Sequence, residues 1–158
     1  MDNREILKMA IAASLGTPYD WGGDDPIEGY DCSGWVQEMM WSVGLLRGDR
    51  QDRTAAGQFT YWNNRDCFHD KIPEFTKNIL GEMRAPPDLF GWPVFFKAKK
   101  VSKIIHVELC LDREISVGAR GDSTVKTRKQ AAEKNAYIKC RKIFDRNNMR
   151  FAGVANPW

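Results

Sequence analysis

The spacing of apolar residues changes along this chain from a helical period to the two-residue period of a strand. Residues 3–63 carry apolar side chains at helical spacing, whereas Ile104–Leu111 alternates, with Val107 and Leu109 on one face and His106 and Glu108 on the other. Helices followed by strands predict an α+β fold with N-terminal helices packed on a C-terminal antiparallel sheet. At 158 residues and 42% hydrophobic content, the chain is expected to form one domain, residues 1–158.

Three helices are predicted in the first half. The first begins at Asp2 or Asn3 and ends before Gly16. The second is capped by Asp31 and carries a wide apolar stripe, and the third spans Arg53–Asn63.

The rest of the chain is predicted to consist of an irregular region and strands. Residues 66–92 are irregular, with a short helix expected near Phe75–Leu80. Strands are expected at Val94–Phe96, Ile104–Leu111, Glu114–Ala119, Ala136–Phe144 and Arg150–Ala155.

The composition of the chain limits the kinds of partner that it is expected to bind. The net charge of +3 is mild, and the basic run Lys126–Lys142 is interpreted as a solvated face, so no nucleic-acid partner is expected. No stretch approaches the roughly 20 apolar residues of a membrane span. The acidic N-terminus does not resemble a signal peptide, so the chain is expected to be made in the cytoplasm.

Four cysteines are present, and none forms a C-x-x-C pair. That spacing argues against a zinc site, and the absence of a secretion signal argues against a disulfide framework. We therefore expect four free thiols, no metal and no cofactor.

Cys32 falls at the predicted start of a helix. There it meets unpaired backbone N–H groups and the positive end of the helix dipole, which favour the nucleophilic thiolate. Such a cysteine needs a base, and the chain has two histidines, His69 and His106. His106 in its strand is the better candidate. A packed cysteine and a core histidine are the alternative.

Five segments in a fixed order resemble the NlpC-type cell-wall peptidases, a papain-like family of cysteine peptidases. The pairing of P-Y-x-W-G-G with D-C-S-G is the most specific part, and the resemblance extends over about residues 5 to 120. The segments are PYDWGG, YDCSGWVQ, RTAAGQF, GWPVFF and HVELCLDREISVGA.

The resemblance implies roles for three residues in catalysis. Cys32 matches the nucleophile, His106 the general base, and Tyr19 a tyrosine whose hydroxyl helps to stabilise the oxyanion. It also implies a substrate, a bacterial cell-wall stem peptide cut at an amide such as γ-D-glutamyl-diaminopimelate.

Two further residues match neighbours of the nucleophile, and Trp21 is the tryptophan of the PYDWGG segment. The resemblance implies that Asp31 shapes substrate recognition and that Ser33 binds an amine of the substrate, while Trp21 can form a wall of the binding pocket. The alternatives are a purely capping Asp31, a plain first-turn Ser33 and a core Trp21.

The chain departs from the family pattern where the family carries a third polar residue on the returning strand. That position falls at Gly118 or Ala119, and neither side chain can orient an imidazole. Glu108 stands where the family commonly has glycine, on the same strand face as His106. We hypothesise that Glu108, or a backbone carbonyl, replaces the missing residue; a solvent-exposed charge on an edge strand is the alternative.

The sequence therefore predicts a cysteine endopeptidase or amidase that acts on peptidoglycan. Two alternatives stay open: a non-catalytic phage tail or assembly component with the same fold, and a thiol amidase or acyltransferase acting on another substrate. A phage origin would make phage structural proteins partners, and the site of action would be the bacterial wall or the virion.

Overall fold

Three of the four helices among the described residues precede the main sheet in the computed structural model, which describes residues 1–46 and 51–158, and the fourth, not predicted from the sequence, lies between two of its strands. The helices are α1 (Asn3–Ser14), α2 (Cys32–Ser42), α3 (Ala55–Asn63) and α4 (Arg128–Glu133). The strands are β1 (Asp24–Asp25), β2 (Gly29–Tyr30), β3 (Phe68–His69), β4 (Thr76–Lys77), β5 (Met83–Arg84), β6 (Pro93–Ala98), β7 (Ile104–Cys110), β8 (Ile115–Ala119), β9 (Ile138–Lys142) and β10 (Met149–Ala155).

Six strands form the main sheet in the order β3-β10-β6-β7-β8-β9. Every neighbouring pair in it is antiparallel. Strands β1 with β2 and β4 with β5 form two small separate hairpins. The predicted α+β arrangement, helices first and an antiparallel sheet after them, is confirmed.

Polar side chains begin the first three helices. Asp2 and Glu5 form a reciprocal capping box at α1, and Asp31 accepts a hydrogen bond from the Gly34 N–H at α2. Thr54 caps α3 in the same way. The third helix thus begins two residues later than predicted, because the cap is Thr54 and not a residue before Arg53.

The sheet is buried on both faces. Helices α1, α2 and α3 cover one face, where Leu7, Trp35 and Val107 are completely buried. The other face carries a second apolar cluster that includes Phe96 and Cys110. Among the described residues, no helix combines the length and apolar character needed to cross a bilayer.

The structure corrects two predictions: the short helix at Phe75–Leu80 and the fully solvated basic run. Phe75–Leu80 is not helical, because Gly81 adopts a φ of 79° and the Asn78 side chain accepts the Glu82 N–H, which closes the β4–β5 hairpin. The basic run Lys126–Lys142 contains α4 and all of β9, and it is not uniformly solvated, since Ala131 and Ile138 are buried.

Glycines let the loop before α2 lie directly against that helix. A Cβ added at Gly34, inside α2, would stand 2.4 Å from the Gly23 carbonyl oxygen, and one at Gly23 would stand 2.4 Å from the Gly29 carbonyl oxygen. Asp31 N–H donates to that same Gly23 carbonyl at 2.8 Å. The loop and the start of α2 therefore form one rigid unit.

We expect Gly34→Ala to destabilise the protein by about 1–3 kcal/mol, because the new methyl group collides with backbone that cannot rotate away. This loss occurs although alanine favours a helix over glycine by about 1 kcal/mol. The free energy of unfolding in urea is the measurement. Gly57→Ala in α3 is the matched control: its Cβ meets nothing closer than 3.4 Å, so it should be neutral or stabilising. Equal stability of both variants would contradict the close approach.

Candidate active site

A cleft of about 400 Å³ opens between the starts of α2 and α3 and the first residues of β7. Six residues singled out in the sequence line it, and they come from three separate stretches of the chain. They are Tyr19, Trp21, Asp31, Cys32, Ser33 and His106. The fold thus brings together every predicted site residue except Glu108, which lies behind His106.

Cys32 is the first residue of α2 and is half-buried. The N–H of a residue at this position has no intrahelical acceptor, so it is free to bind an anion formed at the thiol. Asp31 fixes this end of the helix by accepting the Gly34 N–H at 2.7 Å. The local sequence therefore places a thiol and an oxyanion donor at one point.

His106 lines the same cleft as Cys32, and the charge of the Cys32 thiolate acts on its imidazole. Its Nε2–H donates to Glu108 Oε1 at 2.8 Å, so the other ring nitrogen is left for the thiol. Burial acts to lower the pKa of His106, but the Cys32 thiolate and the Glu108 carboxylate outweigh it and raise the pKa to about 9. The imidazole is thus held as its cation at neutral pH.

Glu108 is completely buried and is held by three side chains. Besides His106, Ser116 Oγ donates to its Oε2 at 2.6 Å, and the Arg146 guanidinium donates to both oxygens at 2.9 and 2.6 Å. Burial acts to raise the pKa of Glu108, but the hydrogen bonds from His106 and Arg146 hold it well below its usual range. The alternative of a solvent-exposed charge on an edge strand is wrong, because β7 is an inner strand of the sheet.

Gly118 faces Glu108 across the pair of strands β7 and β8. A Cβ at Gly118 would stand 2.5 Å from Glu108 Cγ, so no larger residue fits there while Glu108 is present. Ala119, the other position considered for a third polar residue, is completely buried in the apolar core. The glutamate on β7 and the glycine on β8 therefore depend on each other sterically.

Tyr19 is buried at the base of the cleft, with 3% of its surface exposed. Its ring lies so close to Gly121 that a Cβ there would overlap it. Burial first, and then the negative charges of Cys32 and Asp31, raise the pKa of Tyr19 far above its usual value. The hydroxyl stays protonated and can act only as a neutral donor near the thiol.

Asp31 and Ser33 form a polar corner next to Cys32. Ser33 Oγ donates to Asp31 Oδ1 at 2.9 Å, so the serine oxygen keeps its lone pairs for an incoming N–H donor. Asp31 therefore caps the helix and also faces the cleft. Trp21 is 53% exposed, and the alternative of a core tryptophan is wrong because its ring borders the cleft.

The remaining histidine and cysteines lie elsewhere. His69 is on β3, stacked on Trp92 with ring centres 5.5 Å apart, outside the residues that line the cleft. The four cysteines are free thiols, as predicted. Burial raises the pKa of Cys110 far above its usual value, and Cys67 Sγ donates to the Trp62 carbonyl at 3.2 Å.

The sequence analysis assigned no role to two residues that support the cleft, Arg146 and Gln58. Arg146 comes from the segment between β9 and β10, and its guanidinium also lies over the Phe96 ring at 4.2 Å. Gln58 on α3 donates from Nε2 to the Ser33 carbonyl at 2.8 Å, which ties the two helices together. No local pattern signals Arg146, since its partner Glu108 is distant along the chain. Gln58 belongs to the RTAAGQF segment of the resemblance, but the sequence assigned it no role.

We expect Arg146→Met to destabilise the protein by about 3–5 kcal/mol, because it leaves the buried Glu108 carboxylate without its main cationic partner. Urea denaturation measures the loss. Arg150→Met, at an exposed position of β10, is the control and should stay within about 0.5 kcal/mol of the parent. The cost of Arg146→Met should shrink in a Glu108→Gln background, where no charge is left to pair. An undiminished cost there would show that packing and not charge is lost.

The fold and the site can be compared with known proteins. The NlpC/p60 domain of the peptidoglycan hydrolase SagA is 17% identical, with a TM-score of 0.56 over 97% of each chain. The P60 domain of the Mycobacterium avium subspecies paratuberculosis antigen MAP1204 is 16% identical, with a TM-score of 0.55 over 98% of this chain and 94% of the other.

Other similar structures are longer than this chain. An NlpC/P60 family protein from Bacillus cereus gives a TM-score of 0.60 at 16% identity, covering 97% of this chain but 39% of the other. No curated protein matches the sequence significantly. The model of the NlpC/P60 family matches residues 16–142, a range that contains Cys32, His106 and Glu108. The chain belongs to the NlpC/P60 family.

Proposed function

We propose that this chain is a cysteine peptidase that hydrolyses an amide bond in peptidoglycan stem peptides, such as γ-D-glutamyl-diaminopimelate. The observation that carries the proposal is the placement of the Cys32 thiol and the His106 imidazole in one open cleft, with the imidazole hydrogen-bonded to the Glu108 carboxylate behind it. Family membership and the peptidoglycan hydrolases among the similar structures favour a wall peptide over other amides.

In the first step the Cys32 thiolate attacks the amide carbonyl carbon. The negative charge that develops on the carbonyl oxygen is met by the Cys32 N–H and the Tyr19 hydroxyl, both neutral donors fixed in place before the reaction. The His106 imidazolium then gives its proton to the leaving nitrogen, the C–N bond breaks, and a thioester with Cys32 remains.

In the second step water hydrolyses the thioester. Neutral His106 takes a proton from the attacking water, the C–S bond breaks, and the acid leaves while thiolate and imidazolium are restored. Glu108 does not exchange a proton in this scheme. It orients the ring through Nε2 and stabilises the cation, which is the role of the third member of a catalytic triad.

Substrate recognition is assigned to the polar corner and the cleft wall. The Asp31 carboxylate and the Ser33 oxygen present acceptors to an amine of the peptide, and the exposed Trp21 ring offers an apolar wall. The partner is then a bacterial cell-wall peptide, and the site of action is the wall.

We expect Cys32→Ala to abolish cleavage of purified muropeptides, with a loss of roughly 10³-fold or more, because no other group supplies the nucleophile. Mass spectrometry of the fragments measures it, and the fragment masses identify the bond. Cys67→Ala and Cys140→Ala, which remove thiols outside the cleft, are the controls and should cleave normally.

Two results would contradict the peptidase. If folded parent protein cleaves no wall preparation and Cys32 is not alkylated faster than the other thiols, the chain is a non-catalytic component with this fold. If Cys32 is selectively alkylated but no muropeptide is cut, the chain acts on another amide or acyl substrate.

The pH dependence of kcat/KM tests the role of Glu108. The reaction needs the His106 cation, so activity should fall as pH rises through about 9, the raised pKa of His106. Glu108→Gln removes a charge and a hydrogen bond that raise this pKa, so the fall should move to lower pH, and kcat should drop by about 10²–10⁴-fold. An unchanged profile in a folded variant would contradict the triad role.

A further inference from the structure

A second cavity, of about 530 Å³, adjoins the cleft, and Ile105 and Gly121 line both. Four cationic side chains line it, two from β9, one from the segment after β8 and one from the turn after α4. We call it the basic groove, defined by Arg120, Lys134, Lys139 and Arg141.

Only one of these cations is neutralised by a carboxylate of the part of the chain that the structure describes. Lys134 Nζ lies 3.2 Å from Asp122 Oδ2. Within residues 1–46 and 51–158, Arg120, Lys139 and Arg141 form no ion pair, and Lys139 Nζ donates only to the Asn135 carbonyl, at 2.7 Å. The groove thus holds three positive charges without counter-charge.

Arg141 carries a further sign of an unfilled site. Its Nε is buried, and among the described residues it has no hydrogen-bond partner. A buried donor without an acceptor is costly, and native structures rarely leave one unsatisfied unless water, an ion or a ligand supplies the acceptor. Burial, and then the positive charge of neighbouring Arg120, lower the pKa of Arg141, while the Glu108 carboxylate acts in the opposite direction.

We propose that the basic groove binds a carboxylate of the substrate while the scissile amide occupies the cleft. Two guanidinium groups and an ammonium group that line one cavity suit an oxyanion, because each guanidinium can donate two parallel hydrogen bonds to it. The shared residues Ile105 and Gly121 allow one ligand to reach both cavities.

The assignment rests on the proposed function for the source of the carboxylate. An amide formed through the γ-carboxyl of glutamate leaves its α-carboxylate free, and the residue on the other side of the bond has a carboxylate of its own. A stem peptide therefore brings negative charge to both sides of the scissile bond. The groove would select such acidic amides over neutral ones.

The test uses calorimetric titration of the full chain in a Cys32→Ala background, so that no turnover intervenes. Arg141→Gln and Arg120→Gln each remove one charge from the groove. Arg84→Gln, at an exposed position of β5 and outside the groove, is the charge-matched control. The probes are inorganic phosphate, a γ-D-glutamyl-lysine dipeptide, and two analogues of the dipeptide that carry an amide at the α-carboxylate or at the C-terminal carboxylate.

We expect phosphate and the dipeptide to bind roughly 10-fold to 100-fold more weakly to the Arg141→Gln and Arg120→Gln proteins than to the Arg84→Gln protein. In the protein with both arginines, one of the two amidated analogues should bind weakly. Its affinity should be close to that of the unmodified dipeptide for the Arg141→Gln protein. That analogue identifies the carboxylate. Either arginine variant suffices if the other fails to fold, which circular dichroism reports.

Equal affinity of all three proteins for both probes would overturn the anion site. Equal affinity of both amidated analogues and the parent dipeptide would overturn the carboxylate assignment. Failure of the proposed function has a different signature: phosphate binding that depends on Arg141, with no binding of any dipeptide, supports the anion site and removes the stem peptide as its substrate.

Discussion

The buried carboxylate of Glu108 is the charge on which the arrangement of the site depends. A carboxylate taken out of water is stable only when charges and hydrogen bonds replace its hydration, and here Arg146, Ser116 and His106 do so. The four residues come from two strands, β7 and β8, and from the segment between β9 and β10. Their pairing fixes the imidazole and at the same time joins distant parts of the sheet.

A steric constraint accompanies this electrostatic one. Glu108 fits because Gly118 offers no side chain opposite it, just as α2 fits against its preceding loop because Gly23 and Gly34 have none. The absence of side chains at these positions brings Cys32 to the end of the strand that carries His106. The close approach of the loop to α2 thus fixes the position of the thiol, and the buried ion network around Glu108 fixes the position of the imidazole.

Charge is distributed unequally around the cleft. The carboxylates near the thiol are tied into hydrogen bonds with the protein, whereas three of the four cations of the basic groove form no ion pair with the described residues. This asymmetry is what the acidic-substrate proposal explains. It also shows why a mild net charge of +3 says little about function, since the position of the unpaired charges matters more than their sum.

Much of this structure could be predicted from the sequence because it depends on local interactions. The caps at Asp2 and Asp31, the helical stripe of α2 and the alternation in β7 all involve residues within a few positions of one another. The placement of Cys32 at a helix start and the shared face of His106 and Glu108 followed from the same short-range rules. The helix predicted at Phe75–Leu80 failed because a single turn, closed by Asn78, decided that segment.

The sequence by itself determined that three helices precede the central strands, the α+β class and the candidate pair of thiol and imidazole. Only the tertiary structure decided that Glu108 is buried rather than solvated, that Arg146 holds it across 38 positions of the chain, and that Trp21 faces the cleft. It also decided that part of the basic run lines a cavity. The physical reason is that period and capping are local, whereas burial and ion pairing depend on which strands become neighbours in the sheet.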